Sequence, residues 1–499
     1  MMNKQEKVLI ENYFKENSFV MSNIESFNNF IEKELNKILE ENREAVPTII
    51  PPNMNSFKLR LDRIWVTKPE TTEADGSKRN IYPIEARLRK LTYGAPIYIE
   101  LSSHIDGVQK ETFTTQIGSL PIMLKSKFCM LHNLNKEELI EKGEDPADPG
   151  GYFIINGTEK VLVTIEDLAS NRLFLKKESI GPSEYSGTVF SESGSYKIPH
   201  KIEKLKDGIF YLSFTRIKRT PIIVLMKALG LLKDEDIINF VSTKEQFDEI
   251  IGNLYSFVDI KTQEDALDYI AKRTGIAQAK EIRLERTKDL FDKFLFPHIG
   301  TKQKDRIFKA YNLCKMLKKY ILVEQGRIEI DDKDHYMNKK LKLSGDNLAD
   351  LLRVNLKILI GDMLYNFQRI VKRGKFPSIK VIIREKLLTG RIYSALATGN
   401  WVGGRKGVSQ RMDRTNFLSC LSHLQRVSSP LSADQENFQA RELHATHLGR
   451  LCPIETPEGT NIGLRKNLAM LCSVSKECDE VDVMNAIKAL GLKTIKEIQ

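Results

Sequence analysis

The stretch Ala440-Arg-Glu-Leu-His-Ala-Thr-His-Leu-Gly-Arg-Leu-Cys-Pro-Ile-Glu-Thr-Pro-Glu-Gly-Thr-Asn-Ile-Gly-Leu464 is the densest in chemistry-bearing residues of the 499 in this chain. His444, His447 and Cys452 are metal-ligand types, but a fourth ligand at zinc spacing is missing. Buried, hydrogen-bonded histidines are the expectation instead. Glu455 and Glu458 flank Pro457 at the separation an acid/base pair would use. In so basic a neighbourhood, ion pairs to Arg441 or Arg465 are the competing reading. Just upstream runs Gly407-Val-Ser-Gln-Arg-Met-Asp-Arg-Thr-Asn-Phe-Leu-Ser-Cys-Leu-Ser-His-Leu-Gln-Arg426. Read as a helix over 413–427, it lines Phe417, Leu421 and Leu424 on an apolar stripe. Ser419, Ser422, His423 and Arg426 then project from the other side. A polar loop, 429–439, joins this helix to the motif.

A glycine-rich loop, 399–407, precedes the helix. It is not a nucleotide-binding P-loop, which ends in Gly-Lys-Ser/Thr where this sequence has Gly404-Arg-Lys-Gly407. The basic side chains of 386–470 are mostly arginine, whose planar fork suits phosphates and base edges. Upstream of them, 371–386 sets Lys372, Arg373, Lys375, Lys380, Arg384 and Lys386 against Glu385 alone. Such a run is either a solvated helix end or a phosphate-facing strip. Over the whole chain, 77 Lys and Arg exceed 66 Asp and Glu for a net charge of +11, which favours polyanionic partners.

Composition narrows the class further. At 41% hydrophobic and 29% charged, the chain is globular rather than disordered or fibrous. No apolar run reaches the length of a membrane helix. The N-terminus carries acids and lacks an apolar signal core, so no signal peptide is expected. The six cysteines have no CxxC spacing and form no disulfide-like framework, which is intracellular usage and argues against structural zinc.

The remaining chain predicts an α+β, multidomain protein. Residues 22–38 read as an amphipathic helix with a Ser22/Glu25 capping box and Ile24, Phe27, Ile31, Leu35 and Ile38 on one face. Strands then dominate to about 165. Asp106-Gly107 and Asn156-Gly157 supply the paired positive-φ positions of tight hairpin turns. Residues 166–320 read as an inserted α+β domain, with a strand at 211–214 and helices at 221–232, 245–256, 264–273 and 304–319. A long helix follows near 344–372. Asp331, Asp332 and Asp334 suggest either a Mg²⁺ site or a turn with ion pairs.

The two blocks quoted above resemble the fork of the second-largest subunit of multisubunit DNA-dependent RNA polymerases. Upstream segments match that family in order: 79–89 (Arg-Asn-Ile-Tyr-Pro-Ile-Glu-Ala-Arg-Leu-Arg), 118–124, the 151–163 hairpin, 295–299 and 331–338 (Asp-Asp-Lys-Asp-His-Tyr-Met-Asn). The resemblance covers essentially the whole chain. Ending about 30 residues past Asn467, it is similar to the N-terminal polypeptide of the split archaeal form; a truncated fused subunit is the rival reading. The family implies a protrusion at 1–165 and 321–385, a lobe inserted at 166–320, a fork at 386–475, and a tail at 476–499 directed to the partner half-subunit.

The resemblance also implies the chemistry. The complex is a nucleotidyltransferase that makes RNA from rNTPs, with two Mg²⁺ ions stabilising the attacking and leaving oxygens. The family holds them in a DFDGD motif on the largest subunit, which this sequence lacks, so no catalytic residue and no bound metal are expected here. Arg441 and Glu458 match positions near the incoming nucleotide. Gln410, Arg411, Asp413, Arg414, His423 and Arg426, together with Arg405, Lys406, Arg373, Lys375 and Lys380, are the expected nucleic-acid contacts. Gln410, Asp413, His423 and Arg426 match the helix bordering the RNA path, which in bacterial relatives is the rifampicin pocket. Asn400, Trp401, Gly403 and Gly404 would belong to the first fork loop, and Ser432, Asp434 and Gln435 to the second. Glu442 stands where some relatives have Gln or Asp, and Ser428 with Ser429 where many carry other residues.

Implied partners are the C-terminal half-subunit, the largest subunit, the other polymerase subunits, template and non-template DNA, nascent RNA, and initiation and elongation factors. The implied location is cytoplasmic, on the nucleoid. A freestanding nucleic-acid-binding protein and a purely structural assembly subunit are the alternatives.

Overall fold

A computed structural model of the chain describes residues 4–16, 18–50, 54–194, 196–215, 217–242, 247–275, 278–374, 379–475 and 480–492. It divides into two compact units, 1–167 with 341–499, and 168–340. The second unit runs on past 320 because the helix Arg306–Glu324 puts Leu317, Tyr320, Ile321 and Val323 into that unit's own core. No helix among the described residues is long and apolar enough to cross a membrane.

The first unit is built on an antiparallel sheet in which Phe57–Val66 pairs with Gly94–Ile105, and Gly94–Ile105 with Val108–Pro121. Asp106 (φ 51°) and Gly107 (φ 83°) make the tight turn between the last two. Asn156 (φ 49°) and Gly157 (φ 73°) do the same between Phe153–Ile155 and Thr158–Leu162. Alternating apolar residues, Ile97, Ile99 and Leu101 among them, turn one face of the sheet inward. That core also takes in the long helix Ser344–Val371 and the helix Glu385–Thr398, and Phe57 stacks on Phe367 with ring centroids 4.5 Å apart.

The N-terminal amphipathic segment forms, as helix Met21–Asn29, a π-helical turn Phe30–Glu34 and helix Leu35–Glu40. Phe27, Ile31, Leu35 and Ile38 are buried. Its expected capping box is absent. The helix starts at Met21 behind Val20, so Ser22 is already inside the first turn, and its Oγ instead accepts the amide of Val474. The start of the long helix lies hard against this segment. Gly345 donates its N–H to Ser26 Oγ, and a Cβ on Gly345 would sit 2.1 Å from the Ser26 carbonyl oxygen.

Residues 386–475 share the core of the first unit through Leu388, Ile392, Leu396, Cys420 and Leu424. Past them, the helix Glu480–Ala489 leaves Val481, Val483, Met484 and Ile487 exposed.

The second unit is a five-stranded antiparallel meander, Leu173–Lys177, Tyr185–Ser193, Tyr196–Lys204, Phe210–Phe214 and Ile217–Pro221, in sequence order. Helices including Ile222–Ala228, Asp248–Tyr255 and Gln263–Arg273 pack with it around a separate core. Two further helices, Asp234–Ser242 and Lys280–Phe294, were not expected from the sequence.

Candidate functional site

Three short strands carry the fork-like segment. Ser409–Arg411 pairs with Thr158–Leu162. Arg426–Ser428 lies between Thr164–Leu168, to which it is parallel, and Arg465–Asn467, to which it is antiparallel. On the inner side of that pairing, Lys466 Nζ bonds the Glu166 carboxylate at 3.1 Å, with both groups buried.

The helix expected over 413–427 is shorter, Phe417–Leu424. Asp413 holds Thr415 in a turn, and Asn416 caps the helix by accepting the Ser419 amide at 2.7 Å. At the other end, Arg426 and Val427 are drawn into the sheet. The expected apolar stripe is also corrected. Phe417 is exposed, and the buried face is Cys420, His423 and Leu424. His423 does not project to solvent. Its Nδ1 accepts the Asp413 amide at 3.1 Å, and Nε2 faces Gln410 Oε1 at 3.2 Å. Burial, reinforced by the charge of Arg426, lowers its pKa to about 4, so the ring is neutral at neutral pH.

Arg414 is held by carboxylates. Its guanidinium meets Glu159 at 2.6 Å and Asp148 at 2.9 Å, donates to the Tyr152 hydroxyl at 2.9 Å, and lies over the Tyr152 ring. Arg87 completes the cluster, bonding Glu159, Glu144 and the same hydroxyl. Burial pushes the Glu159 carboxyl up, but Arg414 and Arg87 outweigh it and hold it below the usual range. Arg414 therefore ties Asp413 and the turn after it to the 151–163 hairpin.

The glycine-rich loop has a fixed base and an open tip. Gly399, with φ 77°, ends the helix Glu385–Thr398, and a Cβ there would meet Ser409 O at 2.5 Å. Trp401 is buried, and its indole donates to Asn347 O at 2.9 Å. Arg405 pairs with Asp167 at 3.3 Å. Asn400, Gly403, Gly404, Lys406 and Arg411 are exposed.

The 429–441 loop is closed by Arg441. One arm of its guanidinium donates to the carbonyls of Thr460 and Ile462, and the other to those of Ala433 and Gln435. Gly463 must be bare here, since a Cβ would lie 2.3 Å from Arg441 O. Ser432, Asp434 and Gln435 are exposed at the tip.

Neither expected glutamate–arginine pair forms. Glu455 accepts the Ser422 hydroxyl, and Glu458 is exposed at the head of a 3₁₀ turn. His447 is buried and its Nδ1 accepts the His444 amide, while His444 Nδ1 faces Thr446 Oγ1 at 2.7 Å. Asp331 takes Lys319 Nζ and the Leu175 amide, and Asp334 pairs with Lys339 at 3.3 Å, so these aspartates serve ion pairs and a turn. Among the described residues no three His, Cys, Asp or Glu side chains converge as a metal would require.

In the basic strip, Arg373 is exposed and Arg384 is committed to Asp362. Lys375 lies outside the described residues, as does the side chain of Lys380. Arg465, expected only as an ion-pair partner for Glu455 or Glu458, shares a sheet face with Arg426. The signal was its alternation with Lys466, legible only once the pairing of strands is known.

A family model described as RNA polymerase beta subunit matches residues 18–390, and one described as RNA polymerase Rpb2, domain 3, matches 410–474. The DNA-directed RNA polymerase subunit Rpo2 of Saccharolobus solfataricus is 43% identical over 493 residues, covering 98% of this chain and 43% of the relative. The chain thus spans less than half the length of that protein. The DNA-directed RNA polymerase subunit Rpo2N of Methanocaldococcus jannaschii is also 43% identical, covering 97% of this chain and 98% of the relative. The subunit of the same name from Halobacterium salinarum is 39% identical over 512 residues.

Proposed function

Since the chain belongs to the family of RNA polymerase beta, or second-largest, subunits, we propose that it works as a subunit of a DNA-dependent RNA polymerase, lining the DNA cleft and bordering the active site. In this reading 1–167 with 341–385 act as protrusion, 168–340 as lobe and 386–475 as fork. The partners are a C-terminal half-subunit, the largest subunit, the other subunits of the enzyme, both DNA strands, the transcript and the factors that load and follow the enzyme. The work is done in the cytoplasm on the nucleoid.

In this reading magnesium would be held by a DFDGD motif on the largest subunit and would supply charge stabilisation for nucleotidyl transfer. The carboxylates of this chain that the sequence singles out are engaged otherwise. Asp331 and Asp334 are neutralised by lysines, and Glu455 is taken by Ser422. Its contribution is positional.

The observation that carries the proposal is the build of the two loops. Each is clamped at its base, by the Trp401 indole in one and the Arg441 guanidinium in the other, and each presents an exposed, small or polar tip. A loop fixed in this way occupies volume without collapsing, as a wedge at a strand junction must. Opening a base step costs roughly 1.4 kcal/mol, so modest contacts by such wedges shift the balance between paired and melted DNA. Arg441 then acts as a positioning residue for the second loop, and Glu458, exposed, faces basic groups of a partner chain. Deleting Gly403 and Gly404 while keeping Gly399, Trp401 and Arg405 tests the wedge. Permanganate reactivity of melted promoter thymines should fall in the reconstituted enzyme while subunit assembly persists; unchanged reactivity refutes it.

A further inference from the structure

The sheet register brings together two arginines that make no ion pair among the described residues. In the pairing of Arg426–Ser428 with Arg465–Asn467, Arg426 stands opposite Asn467 and Ser428 opposite Arg465. Opposed residues point to the same side of a sheet, as do residues two apart. Arg426, Ser428, Arg465 and Asn467 therefore share one face, with the arginines as diagonal neighbours, a separation of about 7–8 Å that long side chains span. Val427 and Lys466 point the other way, where both are buried and Lys466 is neutralised by Glu166.

No acid among the described residues closes an ion pair with the outer two. Arg426 and Arg465 are half-buried, and neither makes a side-chain hydrogen bond or ion pair. Asp413 and Glu455 offset part of the Arg426 charge through space, but their hydrogen bonds go to Thr415 and Ser422 and neither forms an ion pair with the arginines. His423 beside them is neutral and adds no charge. Other arginines of the segment are committed: Arg414 to Glu159 and Asp148, Arg441 to four carbonyls. Two like charges held together and partly desolvated are unfavourable without an anion. The Arg426 guanidinium registers this, with burial first and the charge of Arg465 second pulling its pKa below the usual range.

We propose that Arg426 and Arg465 form a two-arginine clamp for one backbone phosphate of a nucleic-acid strand, with Arg465 as a contact of equal standing to Arg426. The inference rests on the reading of this chain as a polymerase subunit. A phosphodiester fits because its two free oxygens can each take a guanidinium fork, and its single negative charge, shared between them, relieves the repulsion of the pair. The ligand strand is RNA or template DNA, whose backbone phosphates are chemically alike here.

The test uses the whole reconstituted polymerase on an RNA–DNA scaffold, with R465Q, R426Q and R465K. Because the Arg465 side chain makes no hydrogen bond or ion pair among the described residues, R465Q should assemble like wild type. It should weaken scaffold retention about tenfold at moderate salt, the scale of a lost charge-assisted contact. The slope of log affinity against log salt should fall by roughly one, while R465K keeps most of the slope. Neutral methylphosphonate linkages placed singly along the RNA, then along the template, identify the source. At one position in one strand, R465Q should no longer weaken retention. An unchanged salt slope in R465Q overturns the clamp, and so does a weakening that no single neutral linkage abolishes. A wild-type complex that fails to hold the scaffold would instead sink the polymerase reading itself.

Discussion

Lys466→Met probes the scaffold under the fork-like segment. Lys466 and Glu166 are both buried and 3.1 Å apart, and they sit on strands joined through Arg426–Ser428. Methionine fills most of the lysine's volume but removes its charge, leaving a carboxylate in a medium of low dielectric. Breaking a buried pair from one side costs about 3–5 kcal/mol. Removing both charges, as in K466M with E166L, leaves nothing to desolvate and should recover most of that loss. The chain's two tryptophans, Trp65 and Trp401, are both in the first unit, so their fluorescence follows this unit alone in a urea titration. With a slope of about 2–3 kcal/mol/M, the single variant should lose about 1–2 M in its midpoint. A midpoint shift under about 0.3 M, or a double variant as unstable as the single one, would refute the reasoning.

Three further outcomes follow from the same geometry. Gly345→Ala places a Cβ 2.1 Å from the Ser26 carbonyl and should cost about 1–3 kcal/mol by the same fluorescence titration. His423 has a pKa of about 4 in the folded chain against an ordinary 6.5, so the unfolded chain takes up the extra proton between these values. Its contribution is complete above pH 6.5 and is lost as pH falls toward 4, about 3 kcal/mol in all, and H423Q should flatten that part of the stability profile. Gly463→Ala drives a methyl into the Arg441 main chain and forces a φ of 70° on alanine. The reconstituted enzyme should then lose activity at least as severely as with R441Q, measured by transcript extension on a scaffold.

What the sequence made legible was local. The Asp106-Gly107 and Asn156-Gly157 turns follow from two residues that tolerate positive φ, and the long helix expected near 344–372 forms as Ser344–Val371. What it hid depends on distant partners. The three-residue strand Arg426–Ser428 exists because Thr164 and Arg465, far away in the chain, pair with it, and so the expected helix ends early at Leu424. His423 reads as a polar surface residue until its Nδ1 is seen to accept the Asp413 amide, which lets a neutral ring be buried. Charge alone could not separate Arg414 and Arg441, committed to partners within the chain, from Arg426 and Arg465, whose side chains make no hydrogen bond or ion pair among the described residues. Nor could it show that Trp401 anchors its loop instead of lying at the tip.

The central claim is that this chain shapes an enzyme whose metal chemistry resides on another polypeptide. It is tested most directly by omission from a reconstituted polymerase, with extension of RNA on an RNA–DNA scaffold as the readout. The complete mixture should extend the RNA, and the mixture lacking this chain, like the chain alone with magnesium and rNTPs, should not. Extension by the isolated chain, or full activity without it, would contradict the account.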